Sequence, residues 1–148
     1  LQAVRSARPA DAEVLTMLGN HQRHTGDLAA ARDYFAQAHA ARPDHPETLA
    51  NLAEICFQLG DYQQALPLLE RALRLNPFQA DLEARRTAVL VEFQRGQEAL
   101  ESARRAVNLA PLRPELLQTL EGLLEAHGQF DEAATTRQRR IALERAAG

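Results

Sequence analysis

Four prolines recur at a fixed step of 34 residues along the chain: Pro9, Pro43, Pro77 and Pro111. The same step separates four alanines: Ala31, Ala65, Ala99 and Ala133. A fixed period of this length is typical of chains built from stacked copies of one supersecondary unit, none of which can bury its apolar face alone. The pattern therefore constrains the architecture strongly, and it favours binding over catalysis as the function.

Each step contains the pattern of two helices. In the first complete copy, Leu15 and Leu18 mark one apolar face at helical spacing, and Ala31 and Phe35 mark the face of a second helix. Between them the pair Gly26-Asp27 supplies a stop and a start, since glycine accepts the left-handed conformation and aspartate accepts hydrogen bonds from free helix amides. The proline then ends the second helix, because it lacks an amide hydrogen. The sequence predicts an all-α fold of helix hairpins.

The repeat resembles the tetratricopeptide repeat family. The family's pattern of apolar, small and aromatic positions with a closing proline is matched in the first copy by Leu15, Leu18, Gly19, Gln22, Ala31, Phe35 and Pro43. The second copy gives Leu49, Leu52, Ala53, Cys56, Ala65, Leu69 and Pro77, and the fourth gives Leu117, Leu120, Glu121, Leu124 and Ala133. The resemblance covers nearly the whole chain and implies a right-handed superhelical α-solenoid of antiparallel helix hairpins.

The register of the prolines divides the chain into repeats. We expect a single array over residues 1–148 with four repeats: 12–45, 46–79, 80–113 and 114–147. Residues 1–9 fit the end of a truncated preceding repeat, since Leu1 aligns with Phe35 and Val4 aligns with Ala38 at the 34-residue step. We therefore expect a helix that ends before Pro9 and has an apolar side at Leu1 and Val4.

The third copy departs from the pattern. Glu83 and Arg86 stand where the neighbouring copies have leucine, and the turn reads Gln94-Arg95-Gly96. One interpretation is a degenerate repeat whose two charges pair at i,i+3 near the surface; the other is a functional polar pocket. The first helix of this copy is expected to form, either rotated or extended to Arg95.

The C-terminal end of the last copy is also unusual. Arg137, Arg140 and Arg145 replace the aromatic residue, the alanine and the proline of the pattern. We expect the last helix to run to about Ala146 with a solvated outer face, as terminal capping helices do.

Composition argues against nucleic acid and membrane as partners. The formal net charge is −3, whereas nucleic-acid binders present a basic surface, and a pentatricopeptide-type repeat would have a basic groove. No apolar run approaches the roughly 20 residues that span a bilayer, so no membrane insertion is expected. The compartment stays open, with the cytoplasm as the default and the periplasm as an alternative.

The sequence contains no constellation typical of an enzyme. Gly-rich phosphate loops, nucleophile elbows and paired carboxylates in a cleft-forming context are absent, so we expect no catalytic activity and no cofactor. His21 and His24 have a spacing that could bind a metal, but no third ligand accompanies them, and no metal site is expected. Cys56 is the single cysteine, and its apolar neighbours favour a buried packing role over that of a nucleophile.

The resemblance places the first helices of successive repeats along a concave face, where family members bind extended or helical peptides. The residues expected to form this peptide-binding groove are Met17, Asn20, Arg23, Asn51, Glu54, Phe57 and Arg85. The family members that bind chaperone tails clamp a carboxylate with lysines, asparagines and an arginine. Asn20, Asn51 and Arg85 match that clamp, but Thr16 and Asp81 stand where lysines are expected, and Asp81 would repel a carboxylate.

We therefore expect a non-catalytic scaffold that binds a peptide or partner protein on the concave face. Three alternatives stay open. The first is an accessory or regulatory domain of a larger enzyme or cofactor protein. The second is a self-assembly module, a homo-oligomer formed through the end at Leu1 and Val4. The third is a solvated groove without a ligand, since such arrays also bind through their convex face or their ends.

Overall fold

The structure, a computed structural model, describes residues 9–148, with side chains described from residue 11 onward. In this part of the chain every regular element is an α-helix: α1 (Pro9–Thr25), α2 (Leu28–Ala41), α3 (Pro46–Gln58), α4 (Tyr62–Leu75), α5 (Ala80–Glu92), α6 (Gly96–Leu109), α7 (Pro114–Ala126) and α8 (Phe130–Ala147). Short turns join the helices into hairpins, α1 with α2, α3 with α4, α5 with α6 and α7 with α8. The predicted all-α class is confirmed.

The chain divides into two compact units, Leu1–Asn76 and Pro77–Gly148. The described residues of the first unit form α1 to α4, and within it α2 also packs against α3. The second unit contains α5 to α8, and within it α6 packs against α7. The single array and its repeat boundaries stay a prediction.

One residue in the left-handed region makes the turn inside each hairpin. Gly26, Gly60 and Gly128 have φ angles of +90°, +75° and +73°, a conformation that glycine adopts without a steric penalty. Gln94 occupies the equivalent place in the third hairpin with φ +57°. The predicted extension of α5 to Arg95 is therefore wrong, because the third hairpin makes the same turn with a residue for which it costs about 1 kcal/mol.

Aspartate caps the second helix of both hairpins in the first unit. Asp27 Oδ1 accepts a hydrogen bond from the Ala30 amide at 3.0 Å, and Asp61 Oδ1 accepts one from the Gln64 amide at 3.4 Å. This confirms the capping role predicted for the Gly-Asp pairs.

The interior of each hairpin is built around small residues. The in-register alanines are at most 1% exposed: Ala31, Ala65, Ala99 and Ala133. In the first hairpin a Cβ atom added to Gly19 would stand 2.6 Å from Cε1 of Phe35, so the ring occupies the space that glycine leaves. Cys56 is fully buried, as predicted, and burial raises the pKa of its thiol.

The predictions for the N-terminus fall mainly outside the described residues, which exclude Leu1 and Val4. The helix expected to end before Pro9 lies among these residues, and Pro9 itself is the first residue of α1. Proline is tolerated there because the first helical amide has no partner within the helix. As a result α1 starts three residues earlier in the repeat than α3, which starts at Pro46.

Glu83 of the third repeat is buried, not near the surface as the i,i+3 pair requires. Its side chain is 5% exposed, and Oε1 accepts a hydrogen bond from Arg105 Nε at 3.0 Å. Arg86 donates to Ser102 Oγ and lies 4.0 Å from Glu98. The interpretation as a surface ion pair is therefore wrong, because a second helix, α6, supplies the partners.

The last helix runs to Ala147 and most of its residues are exposed, which confirms its predicted length and solvated outer face. Two of its arginines also reach α7. Arg137 Nε and Arg140 Nε donate to the two oxygens of Glu121 at 2.6 and 3.0 Å. Glu121 lies on α7 and is only 8% exposed. Hydrogen bonds from Arg140 and Arg137 outweigh its desolvation and lower the pKa of the Glu121 carboxyl.

Candidate functional site: a cleft between α1 and α3

A shallow cleft of about 200 Å³ opens in the first unit, where α1 passes the start of α3. It is lined by Ala12, Glu13, Thr16, Met17, Asn20, Arg42, His45, Glu47 and Thr48. Two of the residues predicted to bind a peptide, Met17 and Asn20, belong to this cleft. The two helices are the first helices of successive repeats, and the concave groove predicted from the sequence stays a prediction.

The side chain of Met17 is exposed, whereas that of Asn20 is held by a hydrogen bond. Met17 is 70% exposed, so its flexible thioether side chain is available for apolar contact. Asn20 is half-buried, and its Oδ1 accepts a hydrogen bond from Arg23 Nη2 at 3.0 Å. Arg23, also predicted as a groove residue, thus orients the amide of Asn20 and leaves the N–H groups of that amide to meet an acceptor.

The opposite wall of the cleft comes from the turn between α2 and α3. Arg42 is the C-cap residue of α2, and His45 is the N-cap residue of α3. Nδ1 of His45 lies 3.1 Å from Oγ1 of Thr48. These three residues place a guanidinium, an imidazole and a hydroxyl opposite the side chains of α1.

Three further predicted residues lie along α3. Asn51 is half-buried, one turn beyond Thr48. Glu54 Oε1 accepts a hydrogen bond from Gln58 Nε2 at 2.9 Å. The ring of Phe57 packs against Tyr62, with centroids 5.5 Å apart and planes tilted by 41°. None of these three residues lines the cleft, and Phe57 contacts the first residue of α4.

Arg85, the seventh predicted groove residue, lies half-buried on α5 in the second unit. Asp81, which stands at a lysine position of the carboxylate clamp, accepts a hydrogen bond from Arg113 Nη1 at 2.5 Å. Both residues lie on α5.

Arg42, His45 and Thr48 were missed as candidates by the sequence prediction, which considered the first helices of the repeats. A signal was available. These residues lie on either side of Pro43, the proline that ends the repeat. In an array of such repeats, the turn that follows the second helix of one repeat leads directly into the first helix of the next repeat. The turn residues of a repeat are therefore candidates wherever two first helices form a cleft.

Within residues 9–148, no helix is long and apolar enough to cross a membrane. Across the same described range, no three histidine, cysteine, aspartate or glutamate side chains come together as a metal site would need. The side chains that line the cleft offer hydrogen bonds and apolar contact.

Solved structures with the same fold include several of a protein named MamA. The structure titled MamA 41-end from Desulfovibrio magneticus RS-1 is 23% identical, with a TM-score of 0.84, and the match covers 92% of this chain and 77% of that one. A MamA structure labelled MSR-1 is 24% identical, with a TM-score of 0.82 and coverages of 93% and 79%. At this identity the likeness shows the fold. No curated protein sequence matches the chain.

Two family models, both described as tetratricopeptide repeat, match overlapping parts of the sequence. One matches residues 10–77 and the other matches residues 50–114. Together they cover residues 10–114, which hold three of the four hairpins and three of the four in-register alanines, Ala31, Ala65 and Ala99. The chain belongs to the tetratricopeptide repeat family.

Proposed function

We propose that this chain is a protein-interaction module whose first unit holds a peptide segment of a partner in the cleft between α1 and α3. The observation that carries the proposal is Met17, which is 70% exposed beside a row of hydrogen-bonding groups. Peptide-binding surfaces combine adaptable apolar contacts with a few fixed polar groups in this way. Membership of the repeat family supports the proposal.

The polar groups of the cleft suit a peptide main chain. Arg23 engages the oxygen of Asn20, so the N–H groups of that amide can meet a ligand carbonyl. Asn51 offers a second amide on the facing helix, one turn beyond the cleft wall. Two side-chain amides on neighbouring helices can bond to successive carbonyls of an extended segment.

The charges around the cleft are mixed. Arg42 and His45 stand on one wall, while Glu13 and Glu47 line the same opening. A surface of both signs creates no single field for an anion. We therefore propose a segment bound mainly through its main chain and one apolar side chain at Met17, not a free carboxylate of the chaperone type.

The other predicted residues have a secondary place in the proposal. Glu54 and Phe57 continue the surface of α3 toward its C-terminal end, where they can contact a longer segment. The contribution of Arg85 stays a prediction. The alternative of an accessory domain in a larger enzyme or cofactor protein would use the same cleft to position its partner.

The test uses a peptide selected by display against the folded chain, with its Kd measured by fluorescence anisotropy. Asn20→Ala and Asn51→Ala should each weaken binding about fivefold or more, the value of one hydrogen bond. Met17→Glu should weaken it further, because it places a charge against an apolar contact. Melting temperatures should stay within about 2 °C of the parent, since these side chains are at least partly exposed.

The matched control is Gln37→Ala, at an exposed position of α2 in the same unit. It removes an amide of similar size and should leave the Kd unchanged within about twofold. Peptide binding that survives both cleft substitutions, Asn20→Ala and Met17→Glu, would contradict the assignment of the cleft.

A further inference from the structure

The chain contains two sulfur atoms, one in Met17 and one in Cys56, and they lie in opposite environments. Met17 is 70% exposed on α1, whereas Cys56 is fully buried on α3. Burial raises the pKa of the Cys56 thiol and so disfavours the thiolate, the form that peroxides oxidise. A thioether reacts without ionising, so its exposure decides its reactivity. A peroxide in solution therefore meets one accessible sulfur atom, and its residue, Met17, lines the cleft.

The exposure of Met17 belongs to its place in the repeat. One 34-residue step further, Asn51 on α3 is half-buried, and after three steps Thr119 on α7 is exposed. Both α3 and α7 follow a helix pair of their own unit and pack against its second helix. The side chain at this position reaches solvent in both helices all the same. A preceding helix pair therefore leaves this position accessible to a dissolved oxidant.

We propose that Met17 is a modification site for hydroperoxides, and that its oxidation to the sulfoxide weakens peptide binding in the cleft. The inference rests on the proposed function of the cleft. The Met17 sulfur attacks one peroxide oxygen, a sulfur–oxygen bond forms and the oxygen–oxygen bond breaks. The sulfur loses two electrons to the peroxide, and the proton of the transferred oxygen passes to the leaving oxygen, which departs as water or an alcohol.

Oxidation changes both features on which the proposed binding depends. The flexible apolar thioether becomes a polar sulfoxide, whose oxygen accepts hydrogen bonds. Asn20 stands three residues further along α1, on the same side of the helix, and lines the same cleft. Because Arg23 already donates to its Oδ1, the N–H groups of the Asn20 amide are the ones that a sulfoxide oxygen can engage. The modification therefore removes an apolar contact and also occupies a donor that the ligand carbonyl would use.

The modification is reversible in a way that the test can use. Sulfoxide reductases return the thioether with electrons from a dithiol, which becomes a disulfide while the oxygen leaves as water. One enzyme acts on each sulfoxide epimer, so both are needed after reaction with a peroxide. Binding that is lost through Met17 oxidation should therefore return when both reductases and a dithiol are supplied.

The test compares the Kd of the display-selected peptide before and after treatment of the folded chain with H₂O₂, which is removed before the peptide is added. Peptide mapping by mass spectrometry should find one added oxygen at Met17 and none at Cys56. The Kd should rise at least about fivefold and should return to its starting value after reduction. An oxidised chain that binds like the untreated chain, or oxygen found at Cys56 before Met17, would overturn the inference. Untreated chain whose binding ignores both Asn20→Ala and Met17→Glu would contradict the proposed function itself, and the inference with it.

Three variants separate the site from a general effect of peroxide. In Met17→Leu the Kd before and after treatment should agree within about twofold, since no exposed sulfur is left. Adding Leu112→Met to this variant returns a methionine at a position that is 75% exposed in the turn between α6 and α7. That methionine should gain an oxygen without a change in Kd beyond about twofold. Met17→Gln, which carries a carbonyl in place of the sulfoxide, should bind within about threefold of the oxidised parent. A peroxide effect on Met17→Leu as large as on the parent would overturn the assignment to Met17.

Discussion

The two compact units build the same hairpins by different means. The first unit keeps leucines, glycine turns and aspartate caps at the repeat positions, and its hairpin interiors are apolar. The second unit places Glu83 and Glu121 in those interiors and pairs them with arginines from the second helix of the hairpin, one oxygen of Glu83 with Arg105 and both oxygens of Glu121 with Arg137 and Arg140. It also makes one of its turns with Gln94. The hairpin geometry is therefore set by the repeat as a whole and tolerates either apolar or ionic contact at a given position.

One pair of repeat positions shows the exchange most clearly. On the first helix of the hairpin the residue at this position becomes larger from repeat to repeat: Gly19, Ala53 and Thr87. On the second helix the residue at the paired position becomes smaller: Phe35, Leu69 and Ala103. The Phe35 ring covers Gly19, and the other five residues are at most 2% exposed. In the fourth hairpin the pair becomes Glu121 and Arg137, joined by a 2.6 Å hydrogen bond. The combined side-chain volume is nearly the same in the first two pairs, as close packing favours, and it is smaller in the third. In the last hairpin a charge pair takes these positions.

The difference has a consequence for binding. In the last hairpin Arg137 and Arg140 of α8 form ion pairs with glutamates of the same unit, so their charges are already paired within the fold. In the first unit α1 presents Val14 and Met17 to the surface. We therefore expect partners to bind the first unit, while the last hairpin contributes mainly to stability.

The largest effect on stability is expected from a substitution in the Gly19–Phe35 pair. Gly19→Ala should lower the free energy of unfolding by about 1–3 kcal/mol, because the new Cβ overlaps the buried Phe35 ring. Adding Phe35→Leu reproduces the Ala53–Leu69 pair of the second repeat. The double variant should show a favourable coupling of about 1 kcal/mol or more in a thermal or urea melt. Additive effects would show that the two positions do not share one space.

A smaller effect is expected at the ionic counterpart. Glu121→Ala should destabilise the chain by about 1–2 kcal/mol, a value reduced by the partial exposure of the arginines. The pKa of Glu121 lies below its ordinary value in the folded chain, so the stabilisation is present at neutral pH and is lost as the pH falls through the lowered pKa. The stability difference between parent and Glu121→Gln should therefore shrink below about pH 4. A difference that stays constant from neutral to acidic pH would contradict the ion pair.

The smallest effect is expected at the third turn. Gln94→Gly should stabilise the chain by about 0.5–1 kcal/mol, since glycine adopts the left-handed conformation without a Cβ clash. Gly60→Gln is the matched reverse change in the first unit and should destabilise by a similar amount, measured by the same melts. Equal stability of both variants and the parent would show that the turn relaxes in solution.

The sequence predicted what the period controls and missed what depends on contacts between distant residues. The period and the Gly-Asp pairs predicted the hairpins and their caps, because these are local signals. The same reasoning could not find the Glu83–Arg105 contact, since the partner lies 22 residues away on another helix. For the candidate site, the family pattern gave Met17 and Asn20, which line the cleft. It overlooked Arg42 and His45, because turn residues are brought to the cleft only by the packing of two repeats.

The most direct test of the central claim is an NMR titration of the ¹⁵N-labelled chain with the selected peptide. The largest shift changes should fall on amides of α1 and α3 around the cleft, with Met17, Asn20, Thr48 and Asn51 among them. Amides on the exposed side of α2, such as Gln37, should stay in place. Shift changes confined to α2, or to the second unit, would contradict the account, because they would show that the peptide is held by a surface other than the cleft between α1 and α3.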